Sequence, residues 1–370
     1  MKILIISGSF YPQNTPRAFR TTELAKELAE QGHEVRVYIP NIKYNYAELI
    51  KDHKTLDIRL CRNLAWRDVK LSGSRLKYWI HRIIRRILIQ FLEYPSIQWY
   101  LKMPQILKNE KGYDLLISIA VPHPIHWGIA RCMKKGMNPS KTWVADCGDP
   151  YMGLKTGSFK RPFYFSYLEK LFCKKADFIT IPVESGRSSY YKQFHHKIIV
   201  IPQGFNFEEV KKIKYQAQQK IRFCYAGGFI PNRRDPRPIL DALERIDVEF
   251  EFIVYTKQKN LFAGYDQKLQ NKLIINDYVD RIELIKIMSG MDFLLNIENG
   301  TTAQIPSKLI DYALSDRPIL SLDSQSLDVQ KLSAFLHRDY SSQLIVDNLE
   351  DYNIKNVAKK FIDLTTKKHA

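Results

Sequence analysis

The sequence predicts an α/β chain made of two doubly wound domains with a cleft between them. Three observations predict it. The chain opens on a short apolar run, Lys2–Ser7 (KILIIS), and after a loop and a helix a second run, EVRVYI, completes a β-α-β unit. After Gln203 the strand-then-helix pattern starts afresh at IRFCYAGG. The 370 residues, 45% of them hydrophobic, are enough for two cores.

In chain order, KILIIS reads as a parallel strand buried on both faces. The loop GSFYPQNTPRAFR follows, then a helix with Leu24, Ala25 and Leu28 on its apolar side, ended by Gly32. The loop lacks GxGxxG, so a dinucleotide fingerprint is absent. It carries Gly8, Arg17 and Arg20, which suit the approach of a phosphate; surface arginines would read the same way. Arg75–Leu92 (RLKYWIHRIIRRILIQFL) has apolar residues at 76, 79, 80, 83, 84, 87, 88 and 91. Arg75, Lys77, Arg82, Arg85 and Arg86 fall opposite them, and no acidic residue lies between Asp68 and Glu93. Such a basic amphipathic helix suits an anionic bilayer surface; a core helix with a solvated basic face has the same period.

Asp114–Ile119 (DLLISI) is another buried strand, and the loop VPHPIHWG after it puts His123 and His126 at a strand's carboxyl end, where α/β folds bind ligands. Lys141–Ala145 is a further strand and delivers DCGDPYMG, with Asp146 and Asp149, to the same edge. Carboxylates and imidazoles together can orient or deprotonate an acceptor hydroxyl. Asp turns would use the same residues, and the residues alone do not rank the four. FITIP and IIVIP are two more strands, with ESGRSSYY between them as a helix start capped by Ser185.

QGFNF, residues 203–207, reads as an interdomain hinge. Beyond it the pattern predicts strands at 221–226, 250–255, 292–296 and 318–321, and helices at 236–245, 280–289 and 307–314. Gly227 and Gly228 follow the first of these strands, and Arg233 and Arg234 precede its helix. Glycines let the backbone approach a ligand, and a guanidinium grips a diphosphate in bidentate fashion. The stretch Asn299–Asp323 (NGTTAQIPSKLIDYALSDRPILSLD) is loop, helix N-terminus and strand, with Thr302 in the turn and Pro306 opening the helix. Free N–H groups there suit an anion. Ser307, Lys308 and Asp311 lie in the first turns, and Lys308 and Asp311, three apart, can face one ligand. An anion next to a polyol fits that pair, a nucleotide sugar being one example; an ordinary capped helix has the same pattern.

The formal charge of +18 points to an anionic partner. Five scattered cysteines without a CxxC pair read as reduced thiols of a cytoplasmic protein, neither a disulfide framework nor a zinc site. The first apolar run is too short for a signal peptide, and none approaches the about 18 residues of a spanning helix. The expectation is a protein that does not cross a membrane but can lie on one.

GHEV, KKADFITIPVES, IPQGFN, YAGGFIPNRRDP and IPSKLIDYALSDRPIL follow one another in an order that resembles the family 4 glycosyltransferases of the GT-B fold over nearly the whole chain. WVADCGDP resembles that family's Asp-x-Arg-Asp-Pro segment, with Gly148 in place of the arginine. The resemblance implies two Rossmann-like domains: 1–203 for the acceptor, and 204–354 for the nucleotide sugar. A C-terminal helix, about 355–370, would pack back on the first. It implies transfer of a sugar from a nucleotide donor with retention at the anomeric carbon. By position Arg234 matches the residue that holds the donor diphosphate, with Gly228, Arg233, Thr302, Ser307 and Lys308 beside it. Gly8, Arg17, Arg20 and Asp146 fall on the acceptor side, with His123, His126 and Asp149 as the candidates to orient the acceptor. Asp311 matches the second glutamate of the family's Glu-x7-Glu motif, the usual ribose ligand. The first glutamate falls on Ala303, and Gly228 stands where many members have a donor-binding arginine, so Lys308 is expected to supply charge to the leaving diphosphate.

No Asp-x-Asp motif is present, so neither a metal nor a cofactor is expected beyond the UDP- or GDP-linked co-substrate. The expected partners are that donor, a glycan or lipid-linked acceptor, and an anionic membrane at the inner face of the plasma membrane, in bacterial surface-polysaccharide synthesis (capsule, lipopolysaccharide). An epimerase of the same fold and a non-enzymatic basic binding protein are the competing readings. Nucleic acid is not expected, since no recognition helix, zinc module or aromatic-basic platform is legible.

Overall fold

The computed structural model describes residues 1–153, 160–230, 233–298 and 307–368. The chain divides into two compact units, Met1–Phe205 with Asn353–Ala370, and Asn206–Tyr352.

The first unit runs β1 (Lys2–Ser7), α1 (Pro16–Glu30), β2 (Glu34–Pro40), α2 (Ala47–Asp52), β3 (Leu56–Cys61), α3 (Arg75–Leu92), α4 (Gln98–Leu107), β4 (Tyr113–Ala120), α5 (Pro124–Lys134), β5 (Ser140–Cys147), α6 (Phe165–Lys175), β6 (Phe178–Ile181) and β7 (Ile198–Val200). The strands pair in parallel in the order β3-β2-β1-β4-β5-β6-β7. Alternation along each strand feeds two cores. Ile3, Ile5, Leu115 and Ile117 enter the cluster on one face; Leu4, Ile6 and Leu116 enter the other. This is why the strands read as unbroken apolar runs. The order in which strands are added reverses between β1 and β4, the point of a doubly wound sheet at whose carboxyl ends ligands bind. α1 starts there because Thr15 accepts a hydrogen bond from the Ala18 amide and Pro16 occupies the first turn.

The second unit runs β8 (Ile221–Ala226), α7 (Arg237–Arg245), β9 (Phe250–Tyr255), α8 (Tyr265–Leu269), β10 (Leu273–Asn276), α9 (Arg281–Ser289), β11 (Phe293–Ile297), α10 (Ser307–Leu314), β12 (Ile319–Leu322) and α11 (Val329–Leu336). Its strands are parallel in the order β10-β9-β8-β11-β12, with the reversal between β8 and β11. Phe252, Phe223 and Phe293 stack across three neighbouring strands, with centroids 4.6 Å apart at each step. The chain then returns to the first unit as α12 (Ile354–Lys367). Ile354, Val357, Phe361 and Leu364 of α12 are buried in the first unit's core, each contributing roughly 1.5–3 kcal/mol of burial.

Two short strands, β3 and β10, were not legible in the sequence. Each edges its sheet, and charged or half-exposed positions interrupt the apolar pattern. ESGRSSYY forms a 3-10 helix, Glu184–Ser189, rather than the start of an α-helix, and Arg187 ties it to the carbonyls of His195 and Ile198. α3 is not a core helix: none of its 18 residues is buried, and Leu76, Ile83 and Leu92 are 71%, 56% and 54% exposed. Among the described residues no helix is long and apolar enough to cross a membrane.

Candidate functional site

In each unit the chemistry-bearing residues collect where the strand order reverses. In the first unit Gly8, directly after β1, lies so close to the β4 loop that a Cβ would sit 2.2 Å from Pro122 Cδ. Behind it, α1 presents two arginines to β5. Arg20 is fully enclosed and grips Asp146 with two hydrogen bonds, Nε to Oδ2 at 3.2 Å and Nη2 to Oδ1 at 2.9 Å. Its remaining donors go to the Pro202 and Ile201 carbonyls, and its face stacks on Phe361 of α12. Thr180 donates a further bond to Asp146 at 2.7 Å. Burial alone would raise the Asp146 pKa, yet the charges of Arg20 and Arg17 hold it below the usual carboxylate value. Arg20 and Asp146, read from the sequence as acceptor contacts, are therefore committed to one another. They are the buried mount of the site, because a charge in this core is tolerated only when paired.

Among the described residues Arg17 is the arginine left with donors to spare. Its Nη1 reaches Asp146 Oδ2 at 3.2 Å, and its side chain keeps 17% exposure. Gly148 makes room for it: a Cβ there would sit 2.7 Å from Arg17 Cζ. Burial lowers the Arg17 pKa, and Asp146 opposes that shift.

The four-residue cluster expected at this edge splits by depth. His126 is wholly inside the core, with Nδ1 2.8 Å from Ser118 Oγ and Nε2 3.5 Å from Cys147 Sγ, while the Trp143 indole N–H also donates to Ser118. Burial pushes its pKa down to about 3, so it is a neutral packing residue out of reach of an acceptor. The sequence could not show this, because the helical turn of α5 carries the ring under the sheet edge. His123 is 6% exposed, donates from Nε2 to the Asp149 carbonyl at 3.0 Å, and is held neutral by burial, with a pKa of about 4. Asp149 alone has an exposed side chain. The following turn is fixed by Glu169, whose carboxylate accepts from the Tyr151 and Met152 amides.

In the second unit the edge of β8 is cationic. Tyr312 of α10 accepts a hydrogen bond from the Ala226 amide at 3.0 Å, which docks α10 onto the last residue of β8. One turn earlier on the same helix, Lys308 is carried over the Tyr225 ring, its Nζ 4.6 Å from the centroid. Lys308 Nζ and Arg234 Nε are buried and have no hydrogen-bond partner among the described residues. Burial, and secondarily the charge of Arg234, pull the Lys308 pKa down to about 7. Desolvated cationic groups side by side repel one another, so the position favours an anion. Tyr225 also donates to the Gly228 carbonyl at 2.9 Å, which sets the turn leading to Arg233 and Arg234. The Arg233 side chain is exposed.

Asp311, three residues after Lys308, is engaged by a side chain from another element. Asp311 Oδ1 accepts both Nε (2.8 Å) and Nη2 (2.6 Å) of Arg281 from α9. The charge beside Lys308 is the like charge of Arg234, a tertiary neighbour. Thr302, Ala303 and the side chain of Ser307 lie outside the described residues. Sequence reading missed Tyr225 and Tyr312, whose only signal is an aromatic residue at a strand end and another one helical turn after the lysine.

Residues 19–209, more than half of the chain, match the model of Glycosyltransferase Family 4. Among solved structures, the lipopolysaccharide outer core galactosyltransferase WaaB in its apo form is similar at 15% identity and a TM-score of 0.57, over 100% of each chain. A glycosyltransferase from Rickettsia africae ESF-5 is similar at 11% identity and a TM-score of 0.57, over 99% of this chain and 96% of that one. Anabaena HepE in complex with UDP and glucose is similar at 10% identity and a TM-score of 0.53, over 100% of this chain and 98% of that one. Such low identities speak for the fold, which is GT-B. A search of curated protein sequences finds no match. With the family model spanning both sides of the first-unit edge just described, the chain belongs to glycosyltransferase family 4.

Proposed function

We propose that the protein is a retaining, metal-independent hexosyltransferase. It moves sugar from a UDP- or GDP-linked donor to a glycan or lipid-linked acceptor in bacterial cell-surface polysaccharide synthesis. The observation that carries the reading is a pair of neighbouring cations beside β8, Lys308 and Arg234, whose Nζ and Nε are buried and have no hydrogen-bond partner among the described residues. As the bond from the anomeric carbon to the phosphate breaks, negative charge grows on the departing diphosphate. Cations that are already desolvated and fixed stabilise that charge without reorganisation. HepE, similar in fold, has been captured with UDP and with UDP-glucose, which favours a uridine nucleotide here.

On the first unit, Arg17 suits a phosphate or hydroxyl of the acceptor, and Asp149 with His123 orients it. Retention without a nucleophile follows a front-face course. The acceptor oxygen bonds to the anomeric carbon on the side the diphosphate leaves, and the acceptor proton passes to a leaving phosphate oxygen. Isolation of a stable covalent glycosyl-enzyme would overturn that course. Asp311, although paired with Arg281, remains our ribose ligand, since both Arg281 contacts fall on Oδ1. The exposed apolar side of α3, flanked by Arg82 and Arg86, supports work at the cytoplasmic face of an anionic membrane.

The deciding experiment is a thermal-shift panel of UDP, GDP, ADP and their sugars, because a true donor raises the melting temperature by mass action. If none does, the reading fails; an isomerised sugar formed from donor alone would replace it with epimerisation. Two further outcomes are expected. In the free protein Lys308 is half-protonated near pH 7, facing Arg234, Tyr225 and Tyr312, and a bound diphosphate restores its proton. Nucleotide-sugar affinity should therefore fall by up to about tenfold per pH unit above pH 7, and the dependence should vanish in Lys308→Arg. Calorimetry in two buffers of different ionisation enthalpy counts the proton. Gly148→Ala, which drives a methyl group into the Arg17 guanidinium, should raise the acceptor KM several-fold and leave the melting temperature shift given by the donor unchanged.

A further inference from the structure

Seventy residues away in sequence, a second apolar surface is tied to the end of α3. Gln90 donates to the Lys160 carbonyl at 2.7 Å, Tyr164 donates to the Phe91 carbonyl, and Arg161 bonds the Glu93 carboxylate. Beside these ties Phe163 and Tyr167 are 74% and 66% exposed, next to the exposed Phe91 and Leu92. A large aromatic left in water at that level needs a reason, and so does a rigid frame built to hold it there.

The surroundings select the occupant. Arg75, Lys77, Arg82 and Arg86 flank the apolar strip of α3, and Lys160 precedes the aromatic turn. The two acidic groups in reach are already neutralised, Asp68 by Arg85 and Glu93 by Arg161. The surface therefore combines an apolar strip, aromatic side chains and a net positive charge. A bilayer with anionic headgroups matches all three and requires no shaped groove. Glu93 also accepts from the Tyr151 hydroxyl at 2.8 Å, and the Tyr151 ring packs against His123. The frame thus runs on into the acceptor edge, so that the edge is held at a set distance from whatever this surface touches.

We infer that residues 160–167 are a second bilayer-contacting element that docks together with α3 as one surface, with Phe163 and Tyr167 as its anchors. The inference rests on the reading of α3 as a membrane helix and extends it. The test is co-sedimentation of the full chain with vesicles of phosphatidylglycerol and phosphatidylcholine. The Phe163→Ser/Tyr167→Ser double variant should lose about tenfold or more in partitioning with an unchanged melting temperature, and Phe163→Trp should bind more tightly. The Arg82→Glu/Arg85→Glu/Arg86→Glu variant tests α3 by itself. If it loses binding while the Phe163/Tyr167 variant binds as wild type, the inference falls and the α3 reading stands. If both bind as wild type, or wild type ignores anionic vesicles, both fall. A concentration-dependent dimer abolished by Phe163→Ser, without vesicle binding, would make the surface a self-interface and overturn the inference.

Discussion

Lys308→Ala is expected to abolish measurable nucleotide-sugar binding and to lower turnover by roughly 10²–10³-fold, the loss seen when a fixed electrostatic partner of a developing anion is removed. The fold should survive, because the Lys308 ammonium makes no hydrogen bond among the described residues. Lys308→Met sharpens the test. Burial holds the folded pKa near 7, below the unconstrained value of 10.5. Between those values the unfolded chain binds a proton that the folded chain does not, so the free wild-type protein gains stability as pH rises from about 7 to about 10.5. Lys308→Met removes the penalty and its slope. The variant should melt higher than wild type near pH 6, and the advantage should shrink toward pH 10. A more stable, inactive enzyme is the signature of a residue retained for its ligand. Wild-type turnover in Lys308→Ala would refute the site.

Asp146→Ala should cost about 3–5 kcal/mol, because it leaves the enclosed Arg20 guanidinium without its counter-charge. Denaturant unfolding measures this. Since the folded Asp146 pKa is depressed, its stabilisation is complete above the unfolded value of about 3.9 and is lost as pH falls through the lower, folded value. Arg20→Met combined with Asp146→Leu should recover most of the stability, as apolar replacements of buried pairs do. Acceptor turnover should not recover, because Arg17 then has no anchor. Recovery of both would reduce Asp146 to a packing residue.

Much of the architecture was readable from local pattern. A strand buried on both faces must be apolar along its length, so β1, β4, β8 and β11 announce themselves, and α7, α9 and α10 fall within one residue of their expected bounds, while α8 and α11 were not foreseen. Charge periodicity was equally local: the arginine row opposite Leu76 to Phe91, with no acidic residue between Asp68 and Glu93, marked α3 as unusual before any coordinates. Strands such as β3 and β10 escaped because edge strands bury less and tolerate charge.

The site was legible as residue types at strand ends and illegible as a network. His123 and His126 are three apart, expected on one loop but found at the cap and in the first turn of α5, and one meets the rim and the other the core, since depth depends on what α6 and β5 pack against them. Arg17 and Arg20 look interchangeable, and only the position of Asp146 on a neighbouring strand makes one a mount and leaves the other with donors to spare. Asp311 lies three residues from Lys308 yet is paired with Arg281 of α9, while the charge set beside Lys308 is the like charge of Arg234. The sequence by itself determined the family, the two sheets and the list of charged groups at their edges, because these follow from periodicity and motif order. The tertiary structure decided which charges are cancelled and which remain, because burial and long-range pairing set the cost of a charge, and neither is written in the spacing of residues along a chain.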